Sequence, residues 1–148
     1  MKIIDKVFWV YYLADDVDED TFDPHKVGKW MYFFDDKIPE LRLQTICQNA
    51  IKRGIVKECK YTGYNLVKLK GTGVCCLYMN CDDIEAHKRC IQYMQEYGLI
   101  QKTKSGRYYN ISFKLDDQTR AGEYGTNFEG KIKLEQFVDL NTGEWIYK

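Results

Sequence analysis

Charge of one sign is in no excess in this chain. Its 148 residues hold 22 basic and 22 acidic side chains, so the positive balance typical of general nucleic-acid binders is missing. Proline is scarce, at two residues, and glycine stops at eleven, which leaves little room for long flexible linkers. No stretch approaches the roughly 18 apolar residues of a membrane-spanning helix. The apolar start, MKIIDKVFWVYYLADD, is broken by Asp5 and Lys6; it reads as a strand and not as a signal peptide, and no membrane association is expected. No two of the six cysteines (47, 59, 75, 76, 81 and 90) stand in C-x-x-C spacing. A zinc set of Cys75, Cys76, Cys81 and His87 is disfavoured because adjacent residues of a strand point to opposite faces. The thiols therefore read as reduced and mostly buried, which implies a cytoplasmic setting. Walker loop, dinucleotide fingerprint, nucleophile elbow and zinc signature are all missing, so neither a metal nor a cofactor is expected.

What is present is enough for one domain spanning 1–148. The hydrophobic share is 45% and the aromatic share 15%, with twelve Tyr, seven Phe and three Trp. Apolar content of that order offsets ordering entropy, and aromatics suit a pleated, half-buried surface. Charge is segregated: residues 14–27 form an acidic loop with Asp15, Asp16, Asp18, Glu19, Asp20 and Asp23, whereas bases dominate from Lys52 to Lys70. A chain of zero net charge can thus carry a local basic site.

Strands are expected at Lys6–Leu13, Lys29–Phe34, Val56–Thr62, Tyr64–Leu69, Val74–Asn80 and Tyr108–Leu115, and a C-terminal hairpin in 131–148 around Asn141-Thr142-Gly143. Gly63 is the expected turn of a hairpin. Helices are expected over Ile38–Arg53, with Leu43, Ile46, Cys47, Ala50 and Ile51 as its apolar stripe, and over Ile84–Tyr97 behind an Asp82 or Asp83 cap. The predicted class is α+β: a curved, mostly antiparallel sheet backed by two or three helices on one face.

Period two then sorts the strand residues. If helices cover the apolar side, Lys60, Tyr78, Asn110, Ser112 and Lys114 gather on the other. Lysines and hydroxyls converging on a concave face suit a phosphate or carboxylate; the plain alternative is a solvated sheet surface.

The ordered runs GKWMYFF, KECKYT, GVCCLYMN, YMQEYGLI and SFKLDDQTRAGEYG, within 28–125, resemble the Bles (basophilic-leukaemia-expressed protein) family, which has a fold like that of the cap-binding initiation factor. More distantly they resemble the phosphothreonine lyases of bacterial pathogens. The Bles resemblance implies a curved antiparallel sheet with helices behind it. The lyase resemblance implies β-elimination of phosphate, with catalytic lysines at Lys60 (general base) and Lys29, and phosphate contacts at Lys60, Lys68, Tyr78, Lys114 and Arg120. The chain departs from that pattern twice: Met31 stands where the lyases have their acid histidine, and Glu123 where they have a phosphate-binding arginine. Loss of the acid removes the inherited mechanism, although His25, in the loop before Lys29, is a candidate substitute. The cap-binding likeness makes Trp9 and Trp30 candidates for stacking on a base; packing is the alternative for both. His87 reads as a packed residue in mid-helix.

Three functions follow as expectations. The first is binding of a phosphate-bearing ligand, a nucleotide or phosphopeptide, without an intact lyase acid. The second is a lyase-like enzyme with a substituted acid. The third is a small non-enzymatic protein that engages or inhibits a protein partner through surfaces such as the acidic loop.

Overall fold

Side chains that alternate between interior and exterior build the sheet, and apolar stripes lay the helices against it. A computed structural model describes residues 1–116 and 132–147. In chain order it contains β1 (Lys2–Asp5), β2 (Trp9–Leu13), β3 (Val27–Asp35), α1 (Glu40–Lys52), β4 (Glu58–Thr62), α2 (Tyr64–Lys70), β5 (Thr72–Asn80), α3 (Ile84–Glu96), β6 (Lys114–Leu115) and a 3-10 turn at Leu134–Gln136. The strands form one open antiparallel sheet in the order β1-β2-β4-β5-β3-β6. The protein is α+β: among the described residues a six-strand antiparallel sheet carries three helices packed on it.

The register explains why the helices share a side. Cys59 pairs with Leu77, and Leu77 with Trp30, so these three point the same way. Against them pack Leu43, Ile46, Cys47 and Ala50 of α1 and Cys90, Ile91, Tyr93 and Met94 of α3, all buried. The α1 stripe is the one its 3.6-residue period marks out. Cys47 Sγ lies 3.8 Å from Cys75 Sγ, and all six cysteines are free thiols.

Four expectations change. The segment Tyr64–Leu69 is helix α2, not a strand. Val67 is fully buried, Tyr64 stacks on Phe34 with ring centres 6.1 Å apart, and its hydroxyl donates to the Ile38 carbonyl at 2.7 Å. Spacing of i and i+3 satisfies those contacts; alternation would expose one of the two. Gly63 is consequently the residue before a helix, and Gly71, at φ +82°, closes it in the left-handed region. At the N-terminus the single expected strand is a hairpin, β1–β2, whose Val7-Phe8 turn is closed by Lys6 N–H to the Trp9 carbonyl at 2.8 Å. That turn lacks the usual Gly or Asn signal. Tyr108–Leu115 keeps only Lys114–Leu115 as strand, because Ile111 N–H turns back to the Tyr109 carbonyl at 2.9 Å and breaks the extension. Among its described residues the C-terminal segment has a 3-10 turn and two isolated bridges, Lys133 to Ser112 and Val138 to Trp145, rather than two strands. Its turn does form, with Asp139 Oδ1 accepting from Asn141 and Thr142 N–H and Gly143 at φ +75°.

Among the described residues no helix is long and apolar enough to cross a membrane.

Candidate functional site on the far sheet face

The sheet face turned away from the helices is assembled by cross-strand pairs. Lys60 pairs with Tyr11 on one side and Cys76 on the other. Cys76 pairs with Met31, and two residues along β3 Lys29 pairs with both Tyr78 and Lys114. Lys29, Lys60, Tyr78 and Lys114 therefore lie on one face, with Trp9, Tyr11, Met31 and Glu58 among them.

Lys60 sits at the centre. Its Nζ is 3.8 Å from the centre of the Trp9 ring, 5.5 Å from that of Tyr11 and 5.7 Å from that of Tyr78. The ring faces attract the ammonium. Half-burial nevertheless holds its pKa below the usual lysine value, chiefly by desolvation and with a smaller contribution from the Lys29 charge; Cys76, Asp116 and Glu58 act in the opposite direction. No carboxylate of the described residues lies within ion-pair distance of it. Lys29 differs: its Nζ donates to Asp116 Oδ1 at 2.6 Å, and both side chains are largely buried. Burial pushes the Glu58 carboxyl above its ordinary value, with Asp116 adding to the rise and Lys60 opposing it. Burial also raises the Tyr78 hydroxyl strongly and the Cys76 thiol to about 12. The face thus keeps Tyr78 a neutral hydroxyl and Cys76 a neutral thiol, beside Lys29 paired with Asp116 and Lys60 with no ion pair among the described residues.

Other sequence-derived candidates lie elsewhere. Lys68, which the lyase resemblance offered as a phosphate contact, is carried by α2 and not by a strand of this face, and is exposed. Trp30 is not available for stacking: it is fully buried on the helix side, and its Nε1 donates to His87 Nδ1 at 3.0 Å. Trp9, half-buried over Lys60, keeps an accessible ring. Asn110 accepts from the Glu135 N–H at 3.0 Å, and Ser112 bridges to Lys133; both belong to the contact with the C-terminal segment. His25 is exposed in the turn before β3, its N–H bonded to Asp23 Oδ1 at 2.8 Å. Arg120 and Glu123 lie outside the described residues. Cys75 faces α1 while Cys76 lies beside Lys60, and no group of three potential metal ligands occurs among the described residues.

Tyr11, Glu58 and Asp116 complete the site without having been selected from the sequence. Alternation in Trp9–Leu13 marks Tyr11 as a neighbour of Trp9 on one face. Asp116 had no local signal, because its position follows from β6 pairing with β3, distant in sequence.

His87 is structural. With Nδ1 accepting from Trp30, the ring proton is on Nε2, which donates to the Cys81 carbonyl at 2.8 Å. Burial lowers its pKa; the Cys81 carbonyl, Asp83 and Asp82 pull it back up. Below about pH 6.5 an unfolded histidine takes up a proton that the folded one resists. Stability should be fully present above that value and fall as the pH drops below it. Urea unfolding at about pH 7.5 and 5 should show this decline in the wild type and a smaller one in His87→Gln. Equal declines would place the titrating group elsewhere.

No protein-family model matches the chain, and no curated protein matches it.

Proposed function

We propose that the far sheet face binds a phosphate-bearing ligand, with Lys60 as the principal phosphate contact and Lys29 and Lys114 beside it. The observation that carries this reading is a half-buried ammonium that has aromatic neighbours and no carboxylate partner among the described residues. A partly desolvated cation attracts an anion more strongly than one in bulk water, and lysine presents three donors without fixing the orientation of a phosphate. The Trp9 and Tyr11 rings next to it favour a ligand with a planar ring as well as a phosphate, hence a nucleotide over a phosphopeptide. Binding rather than elimination fits Met31, a side chain unable to donate a proton, on the same face. The acidic loop supports the protein-interaction reading less well, since Asp16 is already bound to Lys57. Free thiols throughout the core suit a reducing compartment.

Lys60→Ala should weaken binding of a nucleoside monophosphate about ten- to a hundredfold, because a charge-assisted hydrogen bond contributes roughly 1.5–3 kcal/mol. Calorimetric titration of both proteins at low and high salt checks this, with affinity expected to fall as salt screens the charge. A phosphothreonine peptide titrated in parallel should emerge without dehydrobutyrine by mass. Equal affinities of wild type and Lys60→Ala would reduce the face to a solvated surface.

A further inference from the structure

A separate concavity lies between the acidic loop, the end of α1 and the start of α3. Its volume is about 400 Å³, within the range of small-molecule sites. Its lining includes Ile51, Ile55, Val56 and Met79, all buried, and Phe22 of the acidic loop.

The charges that line it are unequal in what they already do. Asp16 accepts from Lys57 Nζ at 2.5 Å, and that contact holds its carboxyl below the usual range. Asp83 Oδ1 accepts from the Ala86 N–H at 3.1 Å and caps α3. Both acids are therefore occupied. Lys52 and Arg89, in contrast, line the same cavity, are exposed, and form no ion pair with any described residue. The guanidinium of Arg89 is a fork shaped for a carboxylate. Two cations without ion pairs, in a lining where Phe22, Ile51, Ile55 and Met79 are mixed with polar groups, have an amphipathic complement: one end anionic, the remainder apolar.

We propose that this cavity is a second binding site, for a small organic anion with an apolar body, of the class of a medium-chain carboxylate. The carboxylate meets Arg89 and Lys52 at the mouth, and the hydrocarbon body covers Ile51, Ile55 and Met79. A cation of the same shape is disfavoured because Lys52, Lys57 and Arg89 outnumber Asp16 and Asp83 in the lining. A neutral analogue retains only the apolar contact. Tyr78 lines this cavity as well as the far face, but Lys60 and Trp9 do not, so the two readings can be tested separately.

Octanoate, octan-1-ol and octylammonium titrated into the full chain by calorimetry test the proposal. Octanoate should bind about tenfold more tightly than octan-1-ol, equivalent to 1.4 kcal/mol, and octylammonium should bind more weakly still. In a Lys52→Glu/Arg89→Glu double variant the order should invert, with octylammonium preferred. Both positions are exposed, and an unchanged urea midpoint would verify that the fold survives. Lys60→Ala should leave octanoate affinity unchanged. No octanoate binding, equal affinity for octanoate and octan-1-ol, or an unaltered order in the double variant would each overturn the proposal.

Discussion

Replacing Trp30 with alanine is expected to destabilise the protein by about 3–5 kcal/mol, the usual cost of truncating a large buried aromatic. Trp30 has no exposed surface. Its ring meets His87, Phe113 and Phe137 edge-on, with centres 5.9, 5.7 and 6.3 Å away, and these come from α3 and from both sides of the undescribed segment. Truncation would leave a void among groups that the backbone holds apart, so little collapse can relieve it. It would also strip His87 Nδ1 of its donor, adding the cost of an unpaired buried acceptor. Urea unfolding followed by circular dichroism measures the loss. Trp30→Phe should recover part of it, because one aromatic ring remains to pack although the N–H and part of the indole volume are gone. A loss below about 1 kcal/mol for the alanine variant would contradict the packing described.

Gly28→Ala is the second large effect, and it acts on the site through the backbone. A Cβ on Gly28 would lie 2.5 Å from the Lys114 carbonyl oxygen and 2.6 Å from Phe113 Cε1. The first is main chain and cannot rotate away, so β6 must move off β3. Overpacking of this kind costs about 1–3 kcal/mol. The same movement would separate Asp116 from Lys29, since Asp116 directly follows the two residues of β6 that pair with Gly28 and Lys29. The variant should therefore unfold at lower urea and lose hydrogen-exchange protection at the Leu115 amide, while amides of β4 and β5 keep theirs. Unchanged protection at Leu115 would mean that β6 is not seated on Gly28.

The two substitutions lie two residues apart on one strand, and on the helix-side face of it. What separates that face from the ligand face is side-chain parity, and parity is where sequence reasoning was strongest. Lys60 and Tyr78 were assigned to one side from alternation in Val56–Thr62 and Val74–Asn80, and the pairings of β4, β5 and β3 place them there. The stripe of α1 was readable for the same reason, since a 3.6-residue repeat survives whatever the helix packs on. Parity failed where local pattern was ambiguous. The segment YNLVKLK carries both a period of two and a spacing of three, and the choice of helix was made by Phe34 and Ile38, which receive Tyr64. Lys68, expected on a strand, is carried by α2 as a result.

The amino-acid sequence by itself determined the α+β class, the buried stripes, and which alternate residues of each central strand share a face, because these depend only on periodicities along the chain. Tertiary structure alone decided that Trp9 covers Lys60 while Trp30 disappears into the core, and that Asp116 reaches Lys29. It also decided that Lys52 and Arg89 line one cavity. Each is a contact between segments remote in sequence, set by strand order and by the register of β2 on β4 and of β3 on β6. Local propensity carries no information about such pairings, since the free energy that selects them comes from burial shared between distant parts of the chain.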